Sequence, residues 1–397
     1  MWYNIAIYFF EKIITLGAFM NFKKAKKRCI IIENQNIKQN IIKPIWCHCA
    51  SAGEFEQIIP FLIYLKNETK LPLTVSFFSA SGYEFHQKNE IIDQIILLPT
   101  DTKSNANDII SKINPSFCIW IRKEFWHNFI TILAQKKIRL FLVNYQGETK
   151  NSLFYKLYEE NQLKLFDKIF QINKIVFPRP NIISSKNTKW DSVMDLIQHE
   201  LHFNNIKDWT NNHFTIILGS CWQQEINFIS QIRSKNPVLF HQIKWIFAPH
   251  NLNNEFIQNQ FKTFDPLIFN PNQPILKENN CLLINQNGIL KYVYKYGHLS
   301  IIGGGFKGGI HNILEPTAYG FPVLFGPLHS KFDEANSLIV NNLGFEIRNY
   351  ESLEDKILFF YKKHLKNELK PIDFKQIFGG KLNGSYEIAN YILRSLK

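Results

Sequence analysis

The sequence predicts an α/β protein of two doubly wound domains facing each other across a cleft, preceded by a membrane-associated helix. Three observations carry this expectation. The chain has 397 residues, and a domain commonly holds roughly 100–200, so two domains are expected. After residue 43, short apolar runs alternate with helical patterns in two successive series, the pattern of βα units around parallel sheets. Between the series, residues 178–212 break the rhythm with Pro178, Pro180, Ser184, Ser185 and several Asn residues, which marks a connection. The expected organisation is a helix and basic run over 1–28, a first domain over 29–177, a linker over 178–212 and a second domain over 213–397.

Residues 1–22 read MWYNIAIYFFEKIITLGAFMNF, with Glu11 and Lys12 as the only charges. Lys23, Lys24, Lys26, Lys27 and Arg28 follow. A secretory signal places basic residues before its apolar run, so this order argues against export. About 20 residues would span a bilayer as a helix, although Glu11 and Lys12 would then sit at a costly depth. A helix lying in the interface, with Trp2, Tyr3 and Tyr8 near the headgroups, is the competing arrangement. Either one predicts membrane association, with the chain after the basic run in the cytoplasm. The remaining alternative is a helix packed on the protein's own core.

In the first series, strands are expected at 45–49, 73–78, 95–98, 117–121, 138–143 and 169–172. Several are apolar throughout, as strands covered on both faces should be. Helices are expected at 55–65 and 125–136; Phe55, Ile58, Ile59, Leu62 and Leu65 line one face of the former. The second series places strands at 215–219, 243–248, 281–284, 299–302, 322–325 and 345–347. The final helix, 386–396, can pack on either domain. Ligands of such folds bind at the carboxyl ends of strands, so the loops there are the places to look for chemistry.

Composition narrows the class. Hydrophobic residues at 45% and charged residues at 20% fit a folded protein, not a disordered one. A net charge of +13 favours anionic partners: nucleic acid, an anionic membrane or a phosphorylated substrate. Six cysteines without a CxxC pair read as buried thiols in a reducing compartment.

Three loops carry the candidate chemistry. After the strand 299–302 comes Gly303-Gly-Gly-Phe-Lys-Gly-Gly-Ile-His-Asn-Ile-Leu-Glu315-Pro316. Glycines let backbone approach a phosphate, and free N–H groups at a following helix start can bind it. With His311 and Glu315 one helical turn apart, both can face the loop, and a carboxylate there can accept from a ribose diol. Gly303, Gly305 and Gly308 fit GxGxxG, but no acidic residue stands at the usual ribose-binding distance, and no P-loop is present. Farther on, Gly320–Pro327 reads as a turn, a buried strand and a second turn.

The second loop is Ser51-Ala52-Gly53-Glu54 after the first strand. Ser51 and Glu54 have the spacing of a capping box. Pro60 would push the regular helix toward Glu56, leaving Glu54 in the loop; the two accounts stand level. The third, Arg122-Lys123-Glu124-Phe125-Trp126-His127-Asn128, sets a basic pair beside a carboxylate. That suits an anionic ligand, or a solvated cluster above two core aromatics.

Together these residues resemble the 3-deoxy-D-manno-octulosonic acid (Kdo) transferases, membrane-associated enzymes of lipopolysaccharide assembly. The family's small residue followed by Gly-Glu is similar to Ser51–Glu54, and its Glu-Leu-Trp-Pro-Asn to Glu124–Asn128. Its Gly-Gly-His-Asn-Pro-Leu-Glu-Pro is similar to Gly308–Pro316, and its Gly-x-Pro-Val-x-Phe-Gly-Pro to Gly320–Pro327. The resemblance spans nearly the whole chain in order. It implies a GT-B fold and metal-independent, inverting transfer of Kdo from CMP-Kdo to a lipid A precursor (lipid IVA), with no cofactor, on the cytoplasmic face of the inner membrane. It further implies that Glu54 is the general base and Glu124 a second carboxylate on the acceptor side. Ser51, Gly53, Arg122 and Lys123 would contact the acceptor. Gly305, Gly308, Gly309, His311, Asn312 and Glu315 would hold CMP. Where the family often has Pro-Arg-His, this chain has Pro249-His250-Asn251; where it has Ser-Ala-Arg, this chain has Asn144-Tyr145-Gln146. His250 and Lys150 are the available substitutes. The alternatives are a GT-B transferase using a UDP-sugar, or a basic RNA-binding protein. No RRM, KH or zinc-finger signature supports the latter, so nucleic acid is not an expected partner.

Overall fold

A computed structural model describes every residue except 1, 39, 123–124, 148–152, 173–178, 200 and 397. The chain forms two units: Met1–Ser192 with Lys381–Lys397, and Val193–Gly380.

The first unit opens with α1 (Trp2–Phe19) and α2 (Lys23–Asn34). Next come β1 (Ile45–Cys49), α3 (Ala52–Glu56), α4 (Ile59–Thr69), β2 (Leu73–Phe77), β3 (Gln94–Leu97), β4 (Phe117–Ile121), β5 (Arg139–Tyr145), β6 (Lys168–Gln171) and β7 (Ile182–Ser184). The sheet runs β3-β2-β1-β4-β5-β6-β7, parallel throughout. Both faces of β1 are buried: Ile45, Cys47 and Cys49 meet Phe55, Phe61 and Leu62, while Trp46 meets Trp120 and Phe129. The final helix, Gly384–Leu396, joins this unit through Ile388, Ala389 and Ile392.

The second unit contains β8 (Thr215–Cys221), β9 (Lys244–Pro249), β10 (Leu267–Ile268), β11 (Cys281–Leu283), β12 (Leu299–Ile302), β13 (Val323–Phe325) and β14 (Gly344–Glu346). Its parallel sheet runs β10-β11-β9-β8-β12-β13-β14. In each sheet the winding reverses beside the first strand, between β1 and β4 and between β8 and β12. Those switch points are where doubly wound folds bind ligands.

The twelve expected strands are present to within two residues. Two edge strands, β7 and β10, are additional; at three and two residues they are too short for a periodic signal. Residues 178–212 are not a plain connection. They carry β7 and the helices Lys189–Gln198 and Asn204–Thr210. The expected helix 55–65 is two helices, because Pro60 stands in the first turn of α4, where its missing N–H costs nothing. Glu54 therefore lies on the one-turn helix α3, not in a loop. All six cysteines are free thiols, and five are buried.

Among the described residues no helix is long and apolar enough to cross a membrane. Instead, α1 is held to the first unit along its polar side. Tyr3 Oη donates to Asp101 Oδ2 (2.5 Å), Asn128 Nδ2 to Asn4 Oδ1 (2.8 Å) and Thr100 Oγ1 to Glu11 Oε1 (2.6 Å). Glu11 thus has a protein partner and is not stranded among apolar groups. The opposite side stays bare: Phe9, Ile13, Leu16 and Phe19 are 57–86% exposed. The basic run contributes less outward charge than expected. Arg28 is buried, donating to the Phe78 and Leu98 carbonyls and standing 4.2 Å from the Phe78 ring centre. Lys27 pairs with Glu84 at 2.7 Å.

Candidate functional site

In the second unit the glycine loop leaves β12 at the switch point. Gly303 N–H donates to the Gly219 carbonyl (3.0 Å). A Cβ on Gly303 would lie 2.2 Å from the Ser220 oxygen, so only glycine lets β12 approach β8 this closely. Gly305 meets Gly326 in the same way, which places the turn after β13 against the loop. Gly304 and Gly309 have φ of +99° and +90°; at Gly308 a Cβ would meet nothing within 4 Å. Of the glycines expected to touch a donor, Gly308 therefore borders open space, while Gly305 is built into the packing.

The helix expected after this loop is shorter and later, Leu314–Thr317. His311 and Asn312 precede it, so the turn-apart relation of His311 to Glu315 does not arise. Asn312 instead orients Glu315. Its Oδ1 accepts from Leu314 N–H (3.0 Å) and its Nδ2 donates to Glu315 Oε1 (2.9 Å), which aims the half-buried carboxylate.

Two residues that sequence reasoning passed over complete this corner. Trp222 follows β8 and donates from Nε1 to His311 Nε2 (2.8 Å). Their rings are nearly coplanar, 7° apart. His250 lies over both, with centroids 4.4 Å from Trp222 and 4.6 Å from His311. Its backbone N–H donates to the Cys221 carbonyl, fixing the loop after β9 (3.1 Å). Burial, aided by His250, holds the His311 imidazole down to about 4, and partial burial also lowers His250. Glu225 is buried; its Oε2 accepts from Trp222 N–H (2.9 Å) and its Oε1 from Gly304 N–H (3.2 Å). Burial raises its pKa above the ordinary carboxylate value, against these two donors, which favour the charged form. The spacing Trp222-x-x-Glu225 after a strand is a capping pattern, the one local signal that was available.

In the first unit, Ser51 caps α3 and accepts from Glu54 N–H (3.4 Å). Glu54 Oε2 reaches back to Ala50 N–H (2.7 Å), one residue before the position that a capping box would use. This bond fixes the carboxylate at the carboxyl end of β1. Ser51 and Gly53 are exposed. Across the switch point Arg122 (φ +58°) ends β4, and its Nη2 donates to Gln57 Oε1 (2.7 Å). The Gln57 carbonyl accepts from Thr188 Oγ1 (2.8 Å), which accepts from Asn144 Nδ2 (2.7 Å). Arg122 is thus referred to the α3–α4 junction. Gln57, Asn144 and Thr188 come together only through tertiary structure, so no local pattern announced them. Lys123, Glu124 and Lys150 lie outside the described residues. Trp126 and Asn128, from the same segment, are structural: Trp126 is core, and Asn128 and Phe129 N–H groups bind the Asp101 carboxylate (3.1 and 3.0 Å).

Among the described residues no group of three or more His, Cys, Asp and Glu is arranged to hold a metal ion.

Comparison with known proteins adds to this geometry. A family model described as 3-deoxy-D-manno-octulosonic-acid transferase (kdotransferase) matches residues 22–177, all within the first unit. A 3-deoxy-D-manno-octulosonic acid transferase of Aquifex aeolicus is 28% identical over 351 residues, 85% of this chain and 92% of its own length. One from Chlamydia trachomatis serovar D is 23% identical, covering 82% of this chain and 81% of the relative. Among solved structures, UDP-N-acetylglucosamine 2-epimerase from Rickettsia bellii aligns with a TM-score of 0.60 at 10% identity, over 89% of this chain and 97% of that one. The last likeness concerns fold alone.

Proposed function

We propose that the chain is a glycosyltransferase of the Kdo transferase family that takes Kdo from CMP-Kdo and attaches it, with inversion and without a metal, to a lipid A precursor. The observation that carries the reading is the pair of switch points, each furnished with the groups one half-reaction needs. Glu54 stands at one, its Oε2 held by Ala50 N–H. The open Gly308, His311 and the Asn312-oriented Glu315 stand at the other.

In the proposed reaction Glu54 takes the proton of an acceptor hydroxyl as its oxygen bonds to the anomeric carbon of Kdo. The bond from that carbon to the phosphate oxygen breaks, and CMP leaves with the electron pair. Loop N–H groups and His311 stabilise the charge developing on the phosphate, and Glu315 accepts from the ribose diol. Arg122 suits a phosphate of the acceptor. Thermal unfolding with each nucleotide tests the donor. CMP at about 100 times its Kd should add about 2.7 kcal/mol, a shift of a few degrees. Protection by UDP but not CMP would point to a UDP-sugar enzyme instead.

The bare side of α1 supports a place on the cytoplasmic face of the inner membrane. A helix held to its own domain by polar bonds and apolar on the far side suits an interfacial helix. Burying each large apolar side chain is worth roughly 1.5–3 kcal/mol. The double variant Phe9→Asp, Ile13→Asp should therefore stop sedimenting with anionic vesicles while keeping its CMP-induced stabilisation. Point variants are preferable to deleting 1–28, which would also remove Arg28 from the Phe78 and Leu98 carbonyls. Equal vesicle binding by wild type and variant would sink the membrane assignment.

A further inference from the structure

We propose that Trp222 is a positioning residue: its indole N–H locks His311 in the Nδ1–H tautomer, so that the donor phosphate meets a neutral hydrogen-bond donor and not an imidazolium. The inference rests on reading the second unit as the donor site. The geometry supplies the lock. An Nε2 that accepts from Trp222 Nε1 at 2.8 Å cannot itself carry a proton, so a neutral ring must carry it on Nδ1. The near-coplanarity of the two rings, 7° apart, gives that bond good in-plane direction at the nitrogen lone pair. His250 covers both rings and prevents His311 from turning over. Glu225 completes the arrangement by tying Trp222 N–H and Gly304 N–H to one carboxylate, which holds the indole and the glycine loop in register.

The lock has a chemical consequence. A cationic histidine would tie the site to acidic conditions. A neutral N–H of fixed direction instead contributes where charge grows on the phosphate. The low value of His311 agrees with this role and is not its basis.

The test is the histidine 15N spectrum of the full chain at neutral pH, for wild type and Trp222→Phe, each titrated with CMP. Phe keeps a ring beneath His250 and removes only the N–H. In the wild type His311 is expected to show a protonated Nδ1 and a bare Nε2. In Trp222→Phe the proton should redistribute toward Nε2, and CMP affinity should fall roughly three- to tenfold, the range of one lost hydrogen bond. A wild-type His311 protonated on Nε2, or a tautomer unchanged in Trp222→Phe, overturns the lock. Failure of the donor-site reading has a different signature: the tautomer is as stated, but CMP leaves the His311 resonances unmoved. That result overturns the assignment of the lock to donor binding.

Discussion

Replacing Glu54 by Gln is expected to lower the rate of glycosyl transfer by roughly a hundred- to ten-thousand-fold, the usual contribution of a positioned acid or base. The structure makes this substitution unusually clean. The structural role of Glu54 is to accept from Ala50 N–H through Oε2, and a glutamine carbonyl oxygen can do the same. The cap from Ser51 Oγ to Glu54 N–H does not involve the side chain of residue 54. Gln therefore preserves α3 and the local shape while removing the capacity to take a proton. Melting temperature and CMP affinity should stay near wild type, since Glu54 lies in the first unit and the proposed CMP groups lie in the second. Near-normal turnover in a folded Glu54→Gln protein would return Glu54 to its capping role and leave Glu124 as the next candidate base.

The second large effect is expected at Glu315. If its carboxylate accepts from the ribose diol, Glu315→Ala removes charge-assisted hydrogen bonds worth roughly 1.5–3 kcal/mol, equivalent to about a 10- to 150-fold loss of CMP affinity. The fold should survive, because the side chain is only half-buried and the Asn312 Nδ2 that donates to it is exposed, where water can take its place. Isothermal titration with CMP reads the effect directly. A folded variant with unaltered CMP affinity would show Glu315 to be a residue of the short helix and nothing more.

The legible and illegible parts of this protein divide along physical lines. Strands such as Ile45–Cys49, Phe117–Ile121 and Leu299–Ile302 could be bounded to the residue from the sequence. They are buried on both faces, so every residue is under the same apolar demand and the run ends where burial ends. The glycine loop was legible because a Cβ at Gly303 would lie 2.2 Å from the Ser220 oxygen, so no other residue fits there. The helix after it was misjudged, since a four-residue element has no period to read. The two accounts of Glu54 stood level for a related reason. Pro60 was correctly seen as a boundary, but it begins α4 and leaves room for the separate turn α3. His250 and His311 were both expected at the donor site, but the place of Trp222 between them could not be foreseen, because the three lie on separate loops and only the strand order β9-β8-β12 brings them together. The same holds for Gln57, Arg122, Asn144 and Thr188. The basic run illustrates the opposite error: five consecutive-looking charges read as one surface, yet Arg28 turns inward to two carbonyls.

The measurement that bears most directly on the central claim is a transfer assay with the full chain, CMP-Kdo and a lipid A precursor presented in anionic vesicles, followed by nucleotide release and product mass. Release of CMP in step with an acceptor heavier by one or more Kdo units, abolished together in Glu54→Gln, is the predicted result. Intact CMP-Kdo and unmodified acceptor, from a protein that binds the vesicles and is stabilised by UDP in place of CMP, would contradict it.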